Sequence, residues 1–146
     1  MLKYVKGDLF STDCDIIGHG CNCRGVMGSG VAKIVREKYP KAYNAYRELY
    51  EQDGLWLGDI QFVLQNDGKY VANCMTQDGY FPRHVVNVDY VALEKCMWEL
   101  KRFAREKSLS IALPKIGAGL AGGDWNTIEE ILNKVFFNYD VTVYCL

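Results

Sequence analysis

The residue types able to do chemistry gather in two glycine-rich stretches. The first, GHGCNCRGVMGSGV from Gly18 to Val31, carries His19, Cys21, Asn22 and Cys23, and holds five glycines in the thirteen residues from Gly18 to Gly30. It follows an apolar pair, Ile16 and Ile17, and leads into a helix-like segment, VAKIVREKYP. Glycine removes the side chain that blocks a close approach, and it tolerates positive φ. The helix start that follows offers unpaired N–H groups and the positive end of its dipole. A strand, a glycine loop and a helix in that order bring backbone amides against a phosphate. The second stretch, GAGLAGGD from Gly117 to Asp124, also follows an apolar strand pattern and precedes a helix pattern. Two such cradles in one small chain point to a ligand with two phosphates, or to one diphosphate held from both sides.

Proton transfer needs a titratable group beside those cradles. His19 is the best placed, because histidine titrates near neutral pH. Its other possible duty is to brace the loop from beneath through a hydrogen bond. Asp124 is the second candidate, as a base or a holder of water. Ahead of Trp125-Asn126-Thr127 it is also a good helix N-cap. Cys14, His19, Cys21 and Cys23 are zinc-ligand types, but Cys-x-Cys without a second pair is not the spacing of a finger or ribbon. On a strand, His19, Cys21 and Cys23 share one face, which simple packing also explains. Neither a metal nor a cofactor is expected, and Cys23 reads as a packing thiol rather than a nucleophile.

Hydrophobic periodicity supplies the elements that must hold these loops. Strands are expected at Leu2–Lys6, Cys14–His19, Asp59–Leu64, Lys69–Met75, Leu109–Pro114 and Val141–Cys145. Asn66-Asp67-Gly68 turns the third strand into the fourth as a β-hairpin. Helices are expected at Val31–Tyr39, from Pro40 to about Gln52, from Val88 to Lys107 with Asn87 as cap, and at Trp125–Phe137. Thr76 to His84, TQDGYFPRH, reads as a loop. Strands alternating with helices give a mixed sheet with helices on both sides. Both glycine loops follow strands, so both fall at carboxyl ends, where ligands gather in such sheets.

At 146 residues the chain suits one domain, spanning 1–146. Its formal net charge of −1 disfavours a nucleic-acid partner. The basic residues between Lys33 and Lys41 and between Lys101 and Lys107 read as solvated helix faces. The six cysteines are preceded by no export signal, and Met1-Leu2-Lys3-Tyr4 opens a strand. A reducing cytoplasm with free thiols is the expectation. No apolar run has the length of a membrane span. Small size and self-contained patterning suggest a monomer.

Five blocks then follow one another along nearly the whole chain. They are Gly7-Asp8-Leu9, His19-Gly20-Cys21-Asn22-Cys23, Gly28-Ser29-Gly30-Val31-Ala32, Leu113-Pro114-Lys115-Ile116-Gly117-Ala118-Gly119-Leu120 with Asp124-Trp125, and Val143-Tyr144-Cys145-Leu146. In this order and spacing they resemble a macro domain, most of all the short ADP-ribose 1″-phosphate phosphatase branch. That branch is related to the terminal ADP-ribose protein glycohydrolases. The resemblance implies a three-layer α/β/α fold around a mixed, mostly parallel sheet of about six strands. It implies ADP-ribose or ADP-ribose 1″-phosphate as the small-molecule ligand.

Residue by residue, the resemblance gives Asp8 the adenine amino group, with a turn cap as its alternative, and makes Leu9 a further ligand contact. Asn22 would hydrogen-bond the distal ribose, or else satisfy its own loop. Gly28, Ser29, Gly30 and Val31 would wrap the diphosphate and distal ribose from one side. Gly117, Ala118, Gly119, Leu120, Ala121 and Gly122 would supply backbone N–H groups from the other. Tyr144 or Leu146 would flank the adenine, although Tyr144 also suits the core. The implied activity is hydrolysis of ADP-ribose 1″-phosphate, assisted by His19 and Asp124. The alternatives are a non-catalytic ADP-ribose binding module, or a mono-ADP-ribosyl glycohydrolase acting on modified macromolecules. Glycohydrolases of the related branch use a lysine in the loop before the long helix and an aspartate early in the second glycine loop. This chain has no lysine from Thr76 to His84, and Ala121 stands at the early position, with the acid displaced to Asp124.

Overall fold

A computed structural model describes residues 1–79 and 87–146. Its strands are β1 (Leu2–Lys6), β2 (Ile16–Asn22), β3 (Ile60–Leu64), β4 (Tyr70–Gln77), β5 (Ile111–Pro114) and β6 (Val141–Cys145). Its helices are α1 (Gly30–Lys38), α2 (Pro40–Gln52), α3 (Tyr90–Lys107) and α4 (Trp125–Val135), with a 3-10 turn at Leu9–Ser11. The strands form one six-stranded sheet in the order β1-β6-β5-β2-β4-β3. All neighbours are parallel except β3 and β4, the hairpin. The carboxyl ends of five strands therefore share one edge of the sheet, and both glycine loops leave from it.

Apolar side chains cover both faces of the sheet. Ile16, Ala72 and Leu113 pack with Leu93, Met97 and Leu100 of α3 and with Ile128 and Leu132 of α4. On the opposite face, Cys21, Val71 and Met75 pack with Val35 of α1 and with Ala42 and Tyr46 of α2. The result is the three-layer α/β/α architecture of the sequence reading. The Leu93, Met97, Leu100, Ala104 stripe is buried as its helical spacing requires. Pro40 starts α2 at its first turn, where the missing N–H is not needed.

The boundaries shift where a local signal was misread. β2 does not end at His19 but runs on to Asn22, because Gly20 and Cys21 keep pairing with Cys74 and Met75 of β4. Between Cys21 and Asn22 the register slips. Cys23 thus lies past the strand, although it shares a buried cluster with Cys21. Thr76 and Gln77 belong to β4 rather than to a loop, and the rest of that expected loop after Gly79 lies outside the described residues. The cap of α3 is Asp89, whose carboxylate accepts from Ala92 N at 2.9 Å, so the helix starts at Tyr90 rather than Val88. Asn87 and Val88 instead donate their N–H groups to Ala121 O at 2.8 and 3.2 Å. Lys101 is not on a solvated face. It is buried, and its ammonium donates to Val135 O at 2.9 Å, at the negative end of α4.

Candidate functional site

β2 and β5 are neighbours in the sheet, yet they pair only at Ile16–Ile111 and Ile17–Ala112. Beyond those residues the strands part. From β2 the chain crosses to α1 on one face, and from β5 it crosses to α4 on the other. Such a divergence at carboxyl ends is the topological switch point where open α/β sheets hold ligands. A cavity of about 360 Å³ opens there.

One wall is the first glycine loop: Asn22, Val26, Gly28, Ser29, Gly30, Val31 and Ala32. Gly30 has φ +61°, which lets the chain turn into α1. Ser29 caps α1 with no side-chain bond, so the first amides of the helix have no partner from it. Asn22 fixes the base of this loop from a buried position. Its Nδ2 donates to Val26 O at 2.7 Å, and its Oδ1 accepts from Arg24 N at 2.9 Å and from Tyr46 OH at 2.8 Å. Burial pushes the Tyr46 phenol well above its ordinary range, so it stays a donor.

The other wall is Pro114, Lys115, Ile116, Gly117, Gly119, Leu120 and Ala121. Gly117, at φ +80°, starts the turn, and Gly123 N closes it on Gly117 O at 2.8 Å. Gln77 of β4 and Gly20 and Cys21 of β2 complete the lining. Among the described residues that line the cavity, Lys115 is the one with a charged side chain. The Lys115 ammonium lies over the Trp125 ring, 5.7 Å from its centroid. A cavity lined by two glycine-rich loops is suited to an anion whose oxygens accept N–H bonds.

The macro domain family matches residues 19–132 of the sequence. This chain belongs to the macro domain family. Three relatives place it more closely. It is 29% identical to an ADP-ribose 1″-phosphate phosphatase of Debaryomyces hansenii, covering 99% of this chain and 98% of the relative. It is 31% identical to a DNA ADP-ribosyl glycohydrolase of Mycobacterium tuberculosis, covering 93% of this chain but only 39% of that longer protein. It is similar to the solved macrodomain of Mycobacterium tuberculosis DarG, with a TM-score of 0.88, 26% identity, and 100% and 98% of the two chains covered.

The other residues expected at the site of this macro domain stand outside the lining. His19 is wholly buried on the α1–α2 face, with Nε2 2.7 Å from Asn73 Oδ1. Burial lowers its pKa to about 4, only partly offset by the Asn73 bond. At neutral pH it is an uncharged brace under the loop, not an acid at the cavity surface. Asp124 caps α4, accepting from Thr127 N at 3.2 Å and Thr127 Oγ1 at 2.8 Å. Those bonds, the hydroxyl first, lower its pKa. Its carboxylate faces its own helix rather than the cavity. Ala118 and Gly122 lie in the second loop but not in the lining.

Asp8, Leu9 and Tyr144 form a neighbouring group. Asp8 caps the 3-10 turn, accepting from Phe10 N at 3.0 Å. Leu9 is buried with Ile17 and Ala112, and Tyr144 and Val31 pack against the same cluster. Val31 also lines the cavity, so this group abuts its end. Tyr144 OH donates to Thr12 Oγ1 at 2.9 Å, which ties the ring into the fold. Leu146 is fully exposed.

Sequence reasoning passed over Gly20, Cys21, Val26, Ala32, Gln77, Pro114, Lys115 and Ile116 as lining residues. Pro114 ends the fifth strand and Lys115-Ile116 join it to the second loop, so their place at the strand end was a readable signal. Gln77 was hidden by ending β4 two residues early. Burial raises the Cys21 thiol well above its ordinary range and the Cys23 thiol to about 11, so both are protonated at neutral pH. Among the described residues, no three His, Cys, Asp or Glu side chains are grouped as metal ligands.

Proposed function

We propose that this macro domain binds ADP-ribose and hydrolyses ADP-ribose 1″-phosphate to ADP-ribose and phosphate. The observation that carries the reading is the cavity between β2 and β5, walled on both sides by the two glycine loops. Full-length similarity to phosphatases of that name supports it. In this reading the amides of Gly28–Val31 and of Gly117, Gly119, Leu120 and Ala121 hold the diphosphate, helped by the start of α1. Asn22 shapes the first loop around the distal ribose. Asp8, Leu9 and Tyr144 form the adenine end. His19 serves as a neutral brace, and Asp124 as a cap that fixes where the second loop ends. Ala118 and Gly122 set the path of that loop rather than touching ligand, and Leu146 covers the adenine only once ligand is bound. The six unpaired cysteines support a cytoplasmic setting, and the protein acts as a monomer.

A ³¹P NMR time course of ADP-ribose 1″-phosphate with the purified protein tests this. Broadened diphosphate signals report binding, and a growing inorganic phosphate peak reports turnover. Binding without phosphate release leaves a binding module and refutes the phosphatase. No change in either signal refutes the assignment of the cavity.

The likeness to the DarG macrodomain favours one other activity, removal of ADP-ribose from modified nucleic acid. An ADP-ribosylated oligonucleotide that returns to unmodified mobility on a gel, with no phosphate released from the first substrate, would exchange the two readings.

A further inference from the structure

Gln77, the last residue of β4, is the residue of that strand that lines the cavity. Its main chain is engaged on both edges, paired with Asn22 of β2 on one side and bridged to Val88 on the other. What it offers the cavity is therefore its side chain. Nε2 of that side chain donates to Gly79 O at 2.6 Å. Only the NH2 end of an amide can face a carbonyl, so this bond fixes which way round the amide lies and leaves Oε1 free of it. Among the described residues, nothing donates to Oε1.

The side chains of the lining offer few other acceptors. None is a carboxylate, and Lys115 can only donate. Asn22 Oδ1 is already occupied by Arg24 N and Tyr46 OH. The phosphates of a ligand call for donors, which the loop amides provide. Sugar hydroxyls donate as well as accept, and they call for an oxygen.

The strand order says which sugar Gln77 meets. Tyr144, at the adenine end, is on β6; β5 and β2 flank the cavity; β4 lies beyond β2. From β6 to β4 is three strand intervals, roughly 14 Å at the usual spacing. A ligand with its base beside β6 and its diphosphate between the loops of β5 and β2 carries its far sugar toward β4.

We propose that Gln77 is a specificity-determining residue, whose Oε1 accepts a hydrogen bond from a hydroxyl of the sugar beyond the diphosphate. The inference rests on the ADP-ribose binding part of the reading above and names the group that reads the distal sugar. An acceptor held ready for a hydroxyl discriminates against a ligand that lacks it, because the acceptor is then left unpaired. Gln77 thus favours ADP-ribose and its 1″-phosphate over ADP, which ends at the diphosphate.

Calorimetry of Gln77→Met with ADP-ribose and with ADP tests it, alongside Tm. Methionine keeps the length of an unbranched side chain and removes the acceptor. We expect ADP-ribose to bind about tenfold more weakly than to the wild type, and ADP to bind within about twofold of it. Gln77→Met with wild-type affinity for ADP-ribose overturns the proposal. So does an equal loss for both ligands, with or without a lower Tm, since that marks a side chain that only supports the wall. A wild-type protein that binds ADP-ribose no more tightly than ADP also overturns it, while leaving the cavity assignment standing. A wild-type protein that binds neither overturns the reading of the cavity and the proposal with it.

Discussion

His19 should make the fold acid-sensitive without taking part in turnover. Asn73 spends its amide donor on Ala42 O at 3.1 Å and Gln61 Oε1 at 3.0 Å, which leaves Oδ1 to accept from His19 Nε2. His19 therefore carries its proton on Nε2. A second proton would charge a wholly buried ring, and its folded pKa is lowered from 6.5 to about 4 by that burial. As pH falls through about 6.5 the unfolded chain takes up a proton that the folded chain refuses until about pH 4. Stability from this group is full above the unfolded pKa and is lost on the way down. The loss is about 2 kcal/mol between pH 7 and pH 5, and about 3 kcal/mol once the folded pKa is reached. Urea unfolding of the wild type and His19→Gln over pH 4.5–7.5 measures it, because carboxylates common to both proteins cancel in the difference. The wild type should lose about 2 kcal/mol relative to the variant between pH 7 and 5, while phosphate release by the variant at pH 7.5 stays within about threefold. A flat difference, or an NMR titration of His19 near 6.5, would refute the burial argument. A variant that folds well but loses turnover by a hundredfold would return His19 to the chemistry.

Two further changes probe the walls of the cavity. Asn22→Ala removes the acceptor for Arg24 N and Tyr46 OH and the donor to Val26 O. It should cost about 1–3 kcal/mol in urea unfolding and weaken ADP-ribose about tenfold by calorimetry; unchanged affinity would mean the first loop keeps its shape unaided. Gly117→Ala and Gly119→Ala form a contrasting pair. Gly117 has φ +80° and a Cβ there would lie 3.0 Å from Val88 Cγ2, whereas a Cβ on Gly119 meets nothing within 4 Å. The first should lose about 1–2 kcal/mol of stability. The second should stay within about 0.5 kcal/mol of the wild type yet bind ADP-ribose more weakly, because it adds a methyl to a residue that lines the cavity. Equal affinity for Gly119→Ala and the wild type would show that no ligand approaches that backbone.

The sheet was readable because its signals were local. Alternation marked the strands, Asn66-Asp67-Gly68 marked the hairpin, and Pro40 marked the start of α2. Misreadings came where long-range pairing overruled local pattern. Nothing within Gly20-Cys21-Asn22 announces a strand; β4 alongside keeps that segment extended. Asn87 resembles a cap, but its N–H is committed to Ala121 O, and Asp89 takes the cap. Lys101 sits in a basic run and is buried because the C-terminal carbonyl of another helix waits for it. The loops of the site were legible as glycine patterns. The place of His19 was not, since a strand residue can face either side, and the choice depended on which face α1 and α2 would cover.

That placement bears on how binding and turnover are divided within this macro domain. The amides and the turns at Gly30 and Gly117 are main-chain features, and in the proposed reading they are what holds a diphosphate. None of them distinguishes a reader from a hydrolase. Histidine and aspartate, the side chains that sequence reasoning assigned to chemistry, hold up the loops instead: one braces β2 against β4 and the other fixes the start of α4. In the proposed phosphatase reading, rate enhancement then comes from geometry, in how the two glycine loops hold the phosphate. Such a site is sensitive to small displacements, because positioning loses its effect within about an ångström.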